Sequence, residues 1–369
     1  MHNHTALPQP ITGSVSYQAA RTDRPMSRLR RAVVAGVAVA GVIALTGTTT
    51  ATATRGAPVV TPVATFGSGL GSGSTIGPDG ALYVTDGGSA ATALPGRVWR
   101  IDRRTGGVSL FADGLPPQGL GIGGAMDVAF IGHTAYVLVT MVGGDIVGGP
   151  HIGDDTVGIY RLNRDGSFTV IADIGAWSAA HPPATDYFIT TGVHYAMQPV
   201  HRGFLVTDGH HNRVLRVSLD GTVSEAIAFG NVVPTGLEMS GNRMYMSQLG
   251  PAPHLPEDGR VVTLASRGAG VREVARGASM LVDVELGSHH TLYALSQGDW
   301  DGVAEGSPAF PDTGRLVRVD GNGTLTPLRD GAGNELVLDR PTSVEFVGNT
   351  AYVVSLAGNV VKIENIPPK

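Results

Sequence analysis

Three glutamates recur at one place in a repeated segment. They are Glu238 in Thr235-Gly-Leu-Glu-Met239, Glu285 in Val282-Asp-Val-Glu-Leu286 and Glu345 in Thr342-Ser-Val-Glu-Phe346. Met126-Asp-Val-Ala-Phe130 and Thr191-Gly-Val-His-Tyr195 read in the same phase, which adds Ala129 and His194. Two residues earlier stand Asp127, Gly192, Gly236, Asp283 and Ser343. Residues two apart on a strand share a face, so both sets would look the same way. Carboxylates gathered around one axis repel unless protons, a cation or arginines intervene. Shared protons would make Glu238, Glu285 and Glu345 general acids or bases, with His194 as proton carrier. A divalent cation such as calcium or magnesium would make the three glutamates its ligands. A third reading pairs them with Arg97, Arg213, Arg260 and Arg315 at the start of neighbouring strands.

Other chemistry is thin. There is no G-x-S-x-G elbow, P-loop, HExxH or EF-hand loop. Gly119-Leu-Gly-Ile-Gly-Gly124 has dinucleotide-like glycines but no helix pattern after it, and reads as a loop. His210-His211 and His289-His290 are adjacent pairs, which alternate faces on a strand. The chain has no cysteine, so disulfides, thiolate metal sites and a Cys nucleophile are excluded.

The glutamate segments belong to a repeat. An apolar-Tyr-apolar strand recurs six times, around Tyr83, Tyr136, Leu205, Tyr245, Tyr293 and Tyr352. Each copy is followed by a second strand with period-two alternation, such as Gly96-Arg-Val-Trp-Arg-Ile101 and Arg213-Val-Leu-Arg-Val217. The glutamate-type segment precedes the Tyr strand, and a fourth short segment follows. Four strands in six copies predict an all-β, six-bladed β-propeller with four-stranded antiparallel blades. The sixth copy lacks its fourth strand, so residues 58–70 are expected to close the last blade.

The turns then sort the loops by face. Links between first and second strands, and between third and fourth, are short Asp-Gly or Gly-Asn turns. The insertions fall at 86–96, 141–156, 249–258 and 297–313 between second and third strands. Others fall at 112–125, 175–190 and 329–341 between blades. All seven therefore project from one face, where a rigid scaffold usually carries its function. Candidate ligand-binding residues there are Asp86, His151, Trp177, His181, Asp208, His210, Gln248, His254, Gln297 and Trp300. Aromatic rings beside acids suit a polar organic ligand with an apolar face.

The N-terminal region has another purpose. A basic stretch from Met26 to Arg31, a fourteen-residue apolar run from Ala32 to Leu45 and a small-x-small site at Ala51-Thr-Ala53 form a signal peptide over 26–53. Residues 1–25 read as a disordered or untranslated leader, with Met26 as a candidate start. Cleavage after Ala53 leaves the propeller, 54–369, as a secreted chain with no membrane anchor. Without the first 53 residues it keeps 21 basic and 30 acidic residues, a net charge of −9. That balance argues against nucleic acid as a partner. The expected partner is an extracellular small molecule, glycan or protein, met by a monomer.

Val232-Val-Pro-Thr-Gly-Leu237 and Gln248-Leu-Gly-Pro-Ala-Pro-His-Leu-Pro-Glu-Asp-Gly-Arg260 resemble the ScyD/ScyE family of exported bacterial propellers. Gly203-Phe-Leu-Val-Thr-Asp-Gly-His-His-Asn-Arg-Val-Leu-Arg216 is similar to the NHL repeat. The resemblance spans about 58–366. It implies a propeller and export, and leaves the chemistry open. Gluconolactonase-like and paraoxonase-like propellers hold calcium with Asn and Asp at the mouths of inner strands. Here those positions read Met126, Thr191, Thr235, Val282 and Thr342, a departure from that pattern.

Overall fold

The computed structural model describes residues 56–367, apart from 68–69 and 266–269. The signal peptide, the leader and the cleavage site after Ala53 lie outside the described residues. The chain forms six four-stranded antiparallel sheets arranged as a β-propeller. The inner strands are Gly71–Ile76, Gly124–Ile131, His194–Val200, Pro234–Ser240, Leu281–Leu286 and Pro341–Val347. Each packs against its two neighbours, and the last packs against the first, which closes the ring. In the sixth sheet the outer strand is Val59–Thr65, antiparallel to Asn359–Glu364.

The repeated tyrosines hold the blades together. Tyr83 meets Phe130 of the next blade at 4.8 Å, Tyr136 meets Phe204 at 5.1 Å and Tyr293 meets Phe346 at 4.7 Å. These rings bury apolar area between sheets, which is where a propeller has its core. Hydroxyls add links at the inner strands. Thr85 Oγ1 donates to the Met126 carbonyl at 3.1 Å, joining blades one and two. Thr235 Oγ1 donates to the Leu281 carbonyl at 2.8 Å, joining blades four and five.

Every inner strand carries a β-bulge near its start. A bulge adds one residue and re-aims the side chains beyond it. This detail decides what faces the channel.

Candidate active site: an acidic channel

The register of the inner strands sorts the channel into two tiers. Beyond the bulge, Thr75, Ala129, Gln198, Glu238, Glu285 and Glu345 lie opposite the six residues of the Tyr register. The three glutamates therefore share a tier. His194 does not belong to it. It is the first residue of its strand and pairs with Asp208, four residues before Gln198. Short-range similarity of Thr-Gly-Val-His to the other segments pointed to the wrong phase, because blade three's strand begins its bulge after His194. The other tier, nearer the loop-bearing face, holds Asp127 and Asp283, with Gly73, Ala196, Gly236 and Ser343 in the remaining blades. Blades two and five stand opposite each other in a ring of six, so the two aspartates face each other across the axis.

A cavity of about 370 Å³ fills this channel. Asp127, Asp283, Glu238, Glu285 and Glu345 all line it, together with Tyr195. No Lys, Arg or His is among the lining residues. The arginines expected as partners are elsewhere. Arg97 pairs with Asp113, Arg213 with Asp208, Arg260 with Glu273 and Arg315 with Glu335. Among the described residues, no three of His, Asp and Glu stand close enough together to hold one ion.

The aspartates are built in. Asp127 accepts from the Val128 amide at 2.8 Å and from the Met197 amide of the next blade at 2.7 Å. Asp283 does the same with Val284 and Val344, each at 2.8 Å. Each carboxyl thus ties its blade to the next. The blade before supplies a glycine at the point of contact. A Cβ on Gly236 would lie 2.6 Å from both Asp283 Oδ1 and Asp283 Cα, and Gly73 meets Asp127 in the same way. Gly236→Ala is therefore expected to destabilise the protein by about 1–3 kcal/mol, because one wall must move. Urea unfolding measures this, and a midpoint equal to that of the native chain would contradict the close approach.

All five channel carboxyls are pushed up from the usual carboxylate range. Burial pushes Asp127 up to about 8, against the pull of its two amide donors. Burial likewise raises Asp283 to about 7. Glu238 rises to about 7 by burial, with Asp283 adding to it. Glu285 and Glu345 are pushed well above the usual range by burial and by the surrounding carboxyls. Tyr195, which lines the same cavity, is raised by burial and by the charges of Asp283 and Asp127. At neutral pH this channel contains both protonated and ionised carboxyls, which is the condition for donating and accepting protons at one site.

Most residues expected to bind ligand on the loop face make contacts within the chain. Asp86 is fully buried and accepts from the Gly88 amide and Trp99 Nε1. Gln248 and His254 are also buried, and His254 Nδ1 donates to the Gly250 carbonyl at 2.7 Å. Gln297 is buried at the channel, where its Oε1 accepts from the Ala309 amide. Trp300 donates to Ser307 and packs edge-on against His254, pinning two loops. His210 Nε2 accepts from the Phe188 and Ile189 amides, and burial lowers it to about 4. His151 is exposed. Its two ring nitrogens meet Asp145 at 2.9 Å and Asp154 at 3.0 Å, and these bonds raise its pKa.

Asp208 anchors a separate buried network. Arg213 Nε donates to it at 3.2 Å, and the Val193 and His211 amides donate to its other oxygen. Arg213 also donates to the His181 carbonyl and to His211 Nδ1, and its guanidinium lies 5.0 Å over the Trp177 ring. The His181 ring stacks on Trp177 at 4.3 Å. His194 lies 3.7 Å from Asp208, fully buried, with neither ring nitrogen hydrogen-bonded. Burial lowers its pKa to about 4, so it is neutral and outside the channel. Trp177 and His181 thus serve to cover Arg213.

The sequence reading singled out the glutamates and noted both aspartates by their two-residue offset. It missed Tyr195 and Gln198, whose only signal was the correct register of blade three.

Comparison with known structures agrees on the fold. A gluconolactonase from Xanthomonas campestris superposes with a TM-score of 0.54 at 12% identity, over 83% of this chain and 89% of that one. A protein from Bacteroides thetaiotaomicron gives 0.53 at 11%, over 84% and 76%. Virginiamycin B lyase from Staphylococcus aureus gives 0.48 at 12%, over 83% and 99%. At such identities only the β-propeller is shared. No family model and no curated protein sequence matches the chain.

Proposed function

We propose that this propeller binds a small organic cation in its central channel, entered from the loop-bearing face. One observation carries the reading: five carboxyls line one cavity that, among the described residues, no basic side chain lines. A bound ammonium or guanidinium group would replace the protons that now hold these carboxyls neutral, gaining charge-assisted hydrogen bonds. Export after Ala53 and membership of the ScyD/ScyE group belong to the same proposal, and would put the ligand outside the cell.

Calorimetry with n-butylamine, cadaverine and agmatine at pH 7 tests it, run in two buffers of different ionisation enthalpy. Binding with proton release is expected, because carboxyls raised to about 7 and 8 must ionise to pair with the cation. The variant Glu238→Gln/Glu285→Gln/Glu345→Gln should lose about tenfold or more in affinity. No binding of any amine, or equal binding by the variant, refutes the reading.

A second reading rests on the proton-holding carboxyls themselves. A group raised to about 7 is matched to acid–base work at neutral pH. In that case the site is a hydrolase or lyase, with Asp283, Asp127 and the glutamates moving protons. One fold neighbour is a gluconolactonase, which makes gluconolactone the first substrate to offer. Turnover abolished by the same triple variant would establish an enzyme.

A further inference from the structure

The rim of the channel has a composition of its own. Seven insertions project from the loop-bearing face, and five of them, 116–123, 141–156, 175–190, 249–258 and 297–313, together carry ten acidic residues and no Lys or Arg. The 329–341 insertion carries Arg329 and Arg340, each paired with a carboxylate of its own loop, Glu335 and Asp339. They also expose large apolar side chains that a soluble surface normally covers. Val147 is 57% exposed and Phe188 38%, and their backbones are joined by the bond from the Val147 amide to the Phe188 carbonyl. They form one patch, on the blade two–three side. Val303 and Phe310, 79% and 51% exposed, sit on one loop, and Trp300 of that loop packs against His254, the neighbour of exposed Leu255. They form a second patch, on the blade four–five side. Between the patches the cavity opens, since Gly121 and Gly123 of one loop and Gly306 and Pro308 of another line it. On the opposite face, Val108, Leu219, Val271 and Val347, in the turns or at the strand ends beside them, reach only 36–41% among the described residues.

Apolar groups on both sides of an acidic opening fit one kind of occupant. A membrane surface is anionic and would be repelled, as would nucleic acid. A free amine has nothing to place on the patches. We infer that the loop face docks a polypeptide segment in which a lysine or arginine enters the channel while apolar residues on either side cover the two patches. The acidic rim steers a basic segment in, and the buried apolar contacts retain it. The inference rests on the channel's affinity for a cation and adds the class of molecule that carries it.

The test uses a peptide of about ten residues, roughly 30 Å when extended. It has a central lysine flanked on both sides by leucine and phenylalanine, and is read by fluorescence anisotropy on the purified chain from Thr54. A second peptide has glycine and serine in place of the flanking residues. The first is expected to bind at least about tenfold more tightly than the second. Phe188→Ser/Val303→Ser/Phe310→Ser should remove that margin while leaving n-butylamine binding unchanged. All three side chains are exposed, and circular dichroism checks that the variant folds. Equal binding of the two peptides, absence of binding, or a margin that survives the rim variant overturns the inference. If n-butylamine fails to bind while the peptide margin is present and rim-dependent, the channel reading fails and the docking face stands. If n-butylamine binds and the peptide gains nothing, docking alone fails.

Discussion

Replacing Arg213 by methionine lowers the melting temperature by about 10 °C or prevents folding. This is the expected result, and its cause is Asp208. That carboxylate is fully buried, as is the arginine at 1% exposure. Burial would raise the Asp208 carboxyl, but His194, His211 and Arg213 together hold it well below the usual range. Of these, Arg213 supplies the guanidinium, whose Nε donates to Asp208 at 3.2 Å. Methionine fills the same space yet leaves a buried charge without its cation, which costs about 3–5 kcal/mol. A chain of this size loses about 2–4 °C per kcal/mol. The guanidinium also braces the loop face, through the His181 carbonyl and the Trp177 ring. Its loss therefore loosens the 175–190 segment as well as the blade. Calorimetry on Arg213→Met, Asp208→Asn and the double variant gives the coupling. The double variant should recover part of the loss, since neither charge is then stranded. Additive losses would mean the two side chains act independently, contrary to the 3.2 Å bond between them.

The second large effect is a stability that falls as pH rises. The channel carboxyls titrate higher in the folded chain than in the unfolded one, where Asp and Glu lie near 3.8 and 4.5. Below about pH 4 they are neutral in both states and cost nothing. Between about 4 and 8 the unfolded chain ionises while the folded one keeps its protons, so stability declines steadily. Above about 8 Asp127, Asp283 and Glu238 are charged in the folded chain too and their penalty is fully present, while Glu285 and Glu345, pushed well above the usual range, act with the same sign. All five groups are only half-buried by area, so solvent screens them. The total is therefore about 2–4 kcal/mol, far below a sum over single groups. The variant Glu238→Gln/Glu285→Gln/Glu345→Gln should melt about 5 °C or more above the native chain at pH 8.5, and level with it at pH 4.5. Melting curves across this range decide the matter. A difference independent of pH would show that the glutamates are not the source. Saturating amine should narrow the gap from the other side, by stabilising the native chain at high pH.

The repeat itself was legible in the sequence. Period-two alternation, turn residues and six copies of the Tyr strand suffice for a propeller, because each blade follows from local pattern alone. The same periodicity put Glu238, Glu285 and Glu345 in one tier, and Asp127 and Asp283 two residues earlier. Strand order and turn length also assigned the insertions to one face. What the sequence could not decide depends on residues far apart in the chain. His194 was read into the ring because its neighbours look right, yet the bulge in blade three hands that place to Gln198. Asp127 and Asp283 need amides from the next blade and a missing Cβ in the blade before. Their proton affinity comes from desolvation, which exists only once six sheets enclose the axis. Trp177 and Trp300 carry no mark that separates a ligand platform from a loop anchor. Only the tertiary structure shows Trp177 packed under the Arg213 guanidinium and Trp300 against His254.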